Sequence, residues 1–511
     1  MKDYSSLQNG SDIRGVAMEI PGGKPVNLTG RAAHDIGWAF GRWLSEKLGK
    51  PLGEIRVAIG ADSRITGPDL MRCIAEGLCR FGVEACISGM ASTPAMFMCC
   101  VEGGFDGGIM VTASHLPYER NGMKFFTKES GLEKADIKKI LAYAAEAPDD
   151  TDAEAVKGRI GACGVMPMYV DGLKKKILSS LDLSEGAKPF EGMKIIVDAG
   201  NGAGGFFATE LLRPLGADIT GSLYLEPDGY FPNHQPNPEN KEAMAAITNA
   251  VIASGADMGI IFDTDVDRAG AVLPDSKGGA VALDRNRLIA MMTAILKNQY
   301  GPITVVTDSV TSTGLAEFIE GLGCRHHRFK RGYRNVIGEA QRLMREGENA
   351  IFAMETSGHG ALCENYFLDD GAYIIVKLLV ELVRSRREGK LLTHLIDGLR
   401  EPKEGAEARL PVTEPEFAPF TERVLKGVEE YFAAKDGFEV VPNNYEGVRV
   451  NADRSHGDGW FLIRRSLHDP LMPTNLESDS EGGLKKIAAA LAECLAAYPG
   501  LDTGALSELA E

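Results

Sequence analysis

The stretch RVAIGADSR (56–64) decides the fold. A short run rich in apolar residues ends in a polar turn, and DLMRCIAEGLCRFG (69–82) follows with the spacing of an amphipathic helix, a glycine stop and a second apolar run. The layout recurs twice. KIIVDAGNGAGG (194–205) leads into FFATELLRPLG (206–216), and TVVTDSVTSTG (304–314) into LAEFIEGLG (315–323), each followed by another strand-like stretch. Internal repetition of one strand–turn–helix–strand unit marks repeated domains. The apolar runs do not alternate with polar residues, as expected for sheets covered by helices on both faces. Three similar α/β domains with helix-sandwiched sheets are therefore predicted. The last quarter differs: TERVLKGVEEYF (421–432), VRVNA (448–452), GWFLIRRS (459–466) and GGLKKIAAALAECLAAY (482–498) predict a smaller α+β domain. Boundaries are placed to give domains 1–155, 156–273, 274–400 and 401–511. LREPKEGAEARLP (399–411) has the Pro, Gly and charge content of a hinge before the last domain.

Bulk properties narrow the function classes. A chain of 511 residues exceeds one hydrophobic core, and 44% hydrophobic with 25% charged residues is ordinary for packed domains. The formal charge of −17 argues against an extended nucleic-acid or anionic-membrane surface, since either needs a basic face. An anionic small molecule remains possible, held by local clusters such as Lys330/Arg331/Arg334 and Arg464/Arg465. The first residues, MKDYSSLQNG, lack the apolar segment of a signal peptide and no stretch has spanning length, so a cytoplasmic location is expected. Nine scattered cysteines without a C-x-x-C pair read as reduced thiols.

Chemistry concentrates in four places. GIIFDTDVDRAG (259–270) is an apolar run ending in Asp263, Asp265 and Asp267; in extended backbone alternate residues share one side, so three carboxylates can converge on a cation. Their hard oxygens suit Mg²⁺ or Ca²⁺, and an EF-hand is excluded because its sixth and twelfth positions would be Arg268 and Pro274. In DGGIMVTASHLPYERNGMKFF (106–126), Ser114 follows a strand beside His115, with Lys124 downstream. A nucleophilic serine is one reading and a hydrogen-bonded turn serine the other; no G-x-S-x-G elbow surrounds it, so acyl-serine chemistry is not supported. IFAMETSGHGAL (351–362) places Glu355, Ser357 and His359 on a glycine-flanked turn, able to hold hydroxyls and move a proton, or simply to cap a turn. GWFLIRRSLHDP (459–470) gathers Arg464, Ser466 and His468, donors suited to an anion. DAGNGAGG carries Gly200, Gly202 and Gly205 in dinucleotide-binding spacing, with Asp218 beyond. A nicotinamide-dependent dehydrogenase is thus a formal alternative, although the equivalent turns of the other repeats are not glycine-rich.

Taken together these motifs resemble the α-D-phosphohexomutase superfamily, particularly its phosphomannomutase/phosphoglucomutase branch. Asp12-Ile13-Arg14-Gly15 is similar to the family's N-terminal D-I-R-G, Gly60–Arg64 to its G-x-D-x-R turn, and Thr112–Pro117 to its phosphoserine loop. Pro227-Asp228-Gly229 through Pro236-Asn237-Pro238 is similar to P-D-G-x-F-P-N-H-x-P-N-P. Asp263–Arg268 resembles the metal loop, Glu355–His359 the sugar loop, and Arg464–Pro470 the phosphate loop. The resemblance implies four domains around a central cleft, Mg²⁺, and glucose 1,6-bisphosphate or a related hexose bisphosphate as activator. It implies interconversion of hexose 1-phosphate and hexose 6-phosphate, glucose and/or mannose, through phosphorylated Ser114. It assigns Mg²⁺ to Asp263, Asp265, Asp267 and a phosphoserine oxygen, acid/base work to Lys124 and His359, and support of the reacting charge to Arg14 and Arg268, with His115 a further catalytic residue. Substrate contacts fall to Glu355, Ser357, Arg331, Gly332, Tyr333, Arg464, Ser466 and His468. His468 stands where relatives carry Thr, and Val310 and Tyr333 replace a common Lys and His. A glucosamine-phosphate mutase is the neighbouring alternative, its sugar loop reading E-Q-S-G-H where this chain has Glu355-Thr356-Ser357. A non-catalytic sugar-phosphate-binding paralogue is the alternative of another class. The partner expected is a small sugar phosphate, with no nucleic acid or membrane, and a monomer or homodimer.

Overall fold

The computed structural model describes residues 2–149, 158–442, 444–466 and 469–511. The chain divides into two compact units, residues 1–284 with 357–394, and residues 285–356 with 395–511.

The first unit opens with a seven-stranded mixed sheet, in the order Gln8–Asn9, Asp12–Val16, Arg120–Phe126, Gly107–Val111, Arg56–Ala61, Glu84–Met90 and Ile160–Ala162. Arg56–Ala61 pairs in parallel with Glu84–Met90 and with Gly107–Val111, through the crossover helices Gly67–Phe81 and Thr93–Val101. Arg120–Phe126 returns antiparallel between Gly107–Val111 and Asp12–Val16. Every residue of Gly107–Val111 is buried, which explains its unbroken apolar run. Side chains cap two helices of this domain: Thr29 accepts from the Ala32 amide at the start of Gly30–Leu48, and Ser92 from the Ala95 amide at the start of Thr93–Val101.

A second sheet runs Ala280–Leu283, Ala269–Pro274, Met258–Phe262, Ile195–Asp198, the last two parallel and the others antiparallel. Here the repeat is degraded. The helix after Ile195–Asp198 is a π-helical Phe207–Leu212, and the following stretch contributes only the isolated bridges Lys194↔Asp218 and Asp198↔Leu223. Pro214 accounts for the short helix, since its ring cannot continue one. The glycines before it serve close packing. A Cβ on Gly202 would sit 2.7 Å from the Thr264 carbonyl oxygen, and one on Gly205 2.3 Å from that of Leu225. The space a dinucleotide phosphate would need is filled by protein.

In the second unit Thr304–Thr307 lies between and parallel to Arg325–Arg328 and Phe352–Met354, with helix Thr313–Gly321 as its crossover. The C-terminal part is a five-stranded antiparallel sheet in the order Glu404–Pro411, Leu471–Ser478, Gly459–Ile463, Val448–Ala452, Phe438–Val440, packed against helices Phe417–Ala433 and Gly483–Leu495. Most of the expected hinge 399–411 is therefore strand. Glu404–Pro411 lies at a sheet edge with alternate residues exposed, so its charge is that of an edge strand rather than a linker.

Candidate active site

The strand Gly107–Val111 delivers Ser114 into the protein, where it adopts a left-handed φ of 51° at 8% exposure. A serine in that region is uncommon and must be held there. Its amide donates to Thr112 Oγ1 (2.9 Å), and the Thr112 hydroxyl donates to Asp62 Oδ2 (2.6 Å). The Ser114 hydroxyl donates to Asp263 Oδ2 (3.1 Å) and accepts from Arg268 Nη2 (2.6 Å), residues about 150 positions away in sequence. Arg268 Nη2 also lies 2.7 Å from His115 Nδ1, so that nitrogen accepts and the ring is neutral. Burial, then the Arg268 and Arg14 charges, lower the His115 pKa to about 3. Arg14 donates to the Thr112 carbonyl and pairs with Asp12.

The acidic segment lies between two antiparallel strands, Met258–Phe262 and Ala269–Pro274, whose pairing closes at Phe262↔Ala269. It is a turn with Val266 at φ 70°, not the extended backbone anticipated from the sequence. The three carboxylates converge all the same, with ligand-capable oxygens within 4.8 Å of one another and none of the residues more than 1% exposed. Arg268 Nε and Nη2 grip Asp263 at 3.0 and 2.8 Å; Lys124 Nζ bonds Asp267 and lies 3.3 Å from Asp265. Burial, then the Asp267 charge, push the Asp263 carboxyl well up, against the pull of Arg268. For Asp267 burial is outweighed by Lys124, His359 and Arg268, which together hold it below the usual range. Helix Thr93–Val101 supplies Thr93, whose hydroxyl donates to Asp265 (2.5 Å). From the P-N-H-x-P-N-P run, Gln235 donates to the His115 carbonyl (2.7 Å) and Asn237 accepts from Arg268 (3.4 Å).

His359 completes this group, bridged to Arg268 through the backbone. Its Nδ1 lies 2.5 Å from Asp369 Oδ2, while the other Asp369 oxygen accepts from the Gly360 amide (3.0 Å). Burial opposes the charged imidazole, but Asp369 and Asp267 outweigh it and raise the His359 pKa to about 9. Ser357 is buried, and its hydroxyl has no hydrogen-bond partner among the described residues.

The second unit assembles its own donors. Glu355 accepts from the Gly332 amide (2.6 Å), at a φ of 114° that only glycine tolerates easily, and Thr356 donates to buried Asp308 (2.8 Å). Gly332 caps the helix that starts at Tyr333. Glu446 accepts from the Ser309 hydroxyl (2.5 Å) and the Arg331 amide (3.1 Å) and lies 3.9 Å from Arg464, tying the C-terminal sheet to these loops. Ser466 accepts from the Asp469 amide (3.2 Å). His468 lies outside the described residues.

Comparison with known proteins decides the family. The models for the phosphoglucomutase/phosphomannomutase alpha/beta/alpha domains I, II and III match residues 6–150, 167–278 and 284–401. The chain belongs to the phosphoglucomutase/phosphomannomutase family. It is 30% identical over 486 residues to a phosphomannomutase/phosphoglucomutase of Pseudomonas aeruginosa, covering 94% of each chain. It is also 28% identical to a phosphoglucosamine mutase of Sphingopyxis alaskensis, covering 95% of this chain and 98% of that one. The crystal structure of a phosphoglucomutase/phosphomannomutase family protein from Burkholderia thailandensis superposes with a TM-score of 0.77 at 26% identity, over 98% and 99% of the two chains.

Phosphohexomutases of this family use Mg²⁺, and the residues here fit it. The acidic turn offers three hard oxygen donors, and Asp265 Oδ1 and Asp267 Oδ1 are buried without a hydrogen-bond partner among the described residues. Several residues of the site escaped sequence reasoning. Asp369 had one available signal, since of the pair Asp369-Asp370 only Asp370 is needed to cap helix Gly371–Arg387. Asn237 stood in the P-N-H-x-P-N-P run but without a role, and Thr93 and Glu446 had no signal, because their partners lie far away in sequence.

Proposed function

We propose that this phosphohexomutase interconverts hexose 1-phosphate and hexose 6-phosphate, of glucose and/or mannose, through phosphorylated Ser114. The observation that carries this reading is Ser114 Oγ held between Arg268 Nη2 and Asp263 Oδ2, beside a buried carboxylate trio and Lys124. An oxygen held by a fixed guanidinium and next to a cation site is placed for phosphoryl transfer, where catalysis is mostly positioning and charge stabilisation. In the forward half the P–Oγ bond of phosphoserine breaks and a P–O bond to a sugar hydroxyl forms, that hydroxyl's proton passing to the neutral member of the pair Lys124 and His359 while the charged member returns one to the leaving Ser114 Oγ. The resulting bisphosphate turns around and returns its other phosphoryl group to Ser114, the second of the pair handling the proton. Arg268 and Arg14 supply positive field at the reacting group. Mg²⁺, held by Asp263, Asp265, Asp267 and a phosphoserine oxygen, would neutralise charge on the transferring group.

Glu355 and Ser357 hold ring hydroxyls in this reading, while Arg464, Ser466 and His468 hold the non-reacting phosphate and Arg331, Gly332 and Tyr333 line the sugar. Glucose 1,6-bisphosphate primes the serine. The four domains are taken as 1–155, 156–273, 274–400 and 401–511, in a cytoplasmic monomer or homodimer. No helix of the described residues is long and apolar enough to cross a membrane. The Sphingopyxis alaskensis relative supports glucosamine phosphate as a second substrate class. Rates on glucose, mannose and glucosamine 1-phosphates, with Ser114→Ala alongside, test both readings. Turnover by Ser114→Ala at a wild-type rate would overturn the mechanism, and a dominant rate on the glucosamine substrate would replace the first reading by the second.

A further inference from the structure

Arg64 ends the G-x-D-x-R turn after strand Arg56–Ala61, and its side chain is fully buried. Its guanidinium donates to four main-chain carbonyls of one loop: Nη2 to Ser114 (2.5 Å) and Leu116 (2.6 Å), Nη1 to Pro117 (2.8 Å) and Arg120 (2.9 Å). The remaining Nε faces Asp62 Oδ2 at 3.3 Å, and the Arg64 amide donates to Asp62 Oδ1 (2.9 Å). Burying a charge is costly unless every donor is used, and carbonyls turned inward away from water need donors in return. One side chain satisfies all four carbonyls, while its Nε faces Asp62 as an ion pair without a hydrogen bond.

The same Asp62 accepts from the Thr112 hydroxyl, which in turn accepts from the Ser114 amide. Residue 114 is thus clamped on both sides, its N–H through Thr112 to Asp62 and its C=O by Arg64, and the two ends of the clamp are themselves an ion pair. With both peptide groups fixed, the left-handed φ of Ser114 is held and the side-chain torsion is the main freedom left to Oγ. The neighbouring domain presses on the same point. The Phe231 ring lies 5.2 Å from the Arg64 guanidinium carbon, and a Cβ on Gly229 would meet the Ser63 carbonyl oxygen and Ile65 amide at 2.6 Å.

We propose that Arg64, with Asp62 as its anchor, is the positioning residue of the phosphoryl-carrying loop: it sets where Ser114 Oγ stands between Arg268 and Asp263 without touching the transferred group. A lysine cannot replace it, since one ammonium has three donors and no planar fork to span carbonyls from 114 to 120. The inference rests on Ser114 being the phosphoryl carrier.

The test uses the full-length protein with Arg64→Lys, Thr112→Val and Ser114→Ala, measuring kcat and KM, melting temperature, and the ³¹P signal of phosphoserine after treatment with glucose 1,6-bisphosphate. Misplacement of a reacting oxygen by a fraction of an ångström to 1 Å predicts a kcat loss of about 10- to 100-fold for Arg64→Lys, with KM changed less than about threefold and a displaced or broadened ³¹P resonance. Thr112→Val, which opens the other arm while Arg64 stays in place, should move the same readouts in the same direction by less, and serves if Arg64→Lys does not fold. The inference is overturned if either folded variant loses melting temperature yet keeps wild-type kcat and ³¹P shift while Ser114→Ala is inactive. Activity in Ser114→Ala would instead overturn the serine reading on which it stands.

Discussion

Replacing Asp369 by Asn tests whether His359 is held for proton transfer or merely packed. The Asp369 carboxylate lies 2.5 Å from His359 Nδ1 and accepts the Gly360 amide through its other oxygen, with both side chains largely buried. Asparagine keeps the size and, through its amide oxygen, the Gly360 contact. It removes a charge-assisted hydrogen bond worth about 1.5–3 kcal/mol. At about 1.36 kcal/mol per tenfold in rate, that is a fall in kcat of about 10- to 150-fold, with little change in KM because no sugar contact is altered. The asparagine amide can also force Nδ1 to accept, placing the imidazole proton on the wrong nitrogen, which deepens the loss. The assay is conversion of glucose 1-phosphate to glucose 6-phosphate, coupled to a dehydrogenase. A folded Asp369→Asn enzyme with kcat within about twofold of wild type would refute the reasoning.

Lys124→Met removes both an acid/base group and the cation on Asp267, and kcat should drop by about 10²- to 10⁴-fold in steady-state assays. Chelation should abolish turnover and Mg²⁺ restore it. The metal should also raise the melting temperature, since at 100 times its dissociation constant a ligand stabilises by about 2.7 kcal/mol; equal melting with and without Mg²⁺ counts against the acidic turn as its site. Asp35 is buried among Tyr4, Arg31, Lys2 and His34; burial would raise its pKa, but bonds from His34, Tyr4, Arg31 and Lys2 lower it to about 2. A folded-state pKa below the unfolded one gives stability that is fully present above about pH 4 and lost as pH falls toward 2. Asp35→Asn should therefore be less stable to denaturant than wild type at pH 7 by about 1–3 kcal/mol, with the gap closing on acidification; a gap that stays constant with pH contradicts the assignment.

How far the sequence reached depends on how local each feature is. The strand, turn and helix units at 56–90 and 304–328 are legible because buried strands and amphipathic helices write their periods directly into neighbouring residues. The unit at 194–223 is only half legible: Pro214 and the tightly packed glycines replace an ordinary helix and strand with a π-helical turn and isolated bridges. The edge strand Glu404–Pro411 reads as a linker because it buries little. At the site, Asp263, Asp265 and Asp267 stand out since three clustered carboxylates at a strand end signal a cation from sequence alone, although a turn at Val266 and not strand alternation brings them together. Arg64 was visible as part of a turn but its task was not, because its partners are backbone carbonyls of residues 114–120, and main-chain acceptors leave no mark in side-chain chemistry. Asp369 and Glu446 are hidden in the same way by long-range pairing.

The central claim is that Ser114 carries the phosphoryl group beside the fixed guanidinium of Arg268 and the acidic turn. Intact mass and peptide mapping of the protein treated with glucose 1,6-bisphosphate measure it directly. The account predicts one added phosphoryl group on Ser114, removed by excess hexose monophosphate in the presence of Mg²⁺. An active enzyme whose Ser114 is never phosphorylated, or whose label sits on another residue, would contradict it.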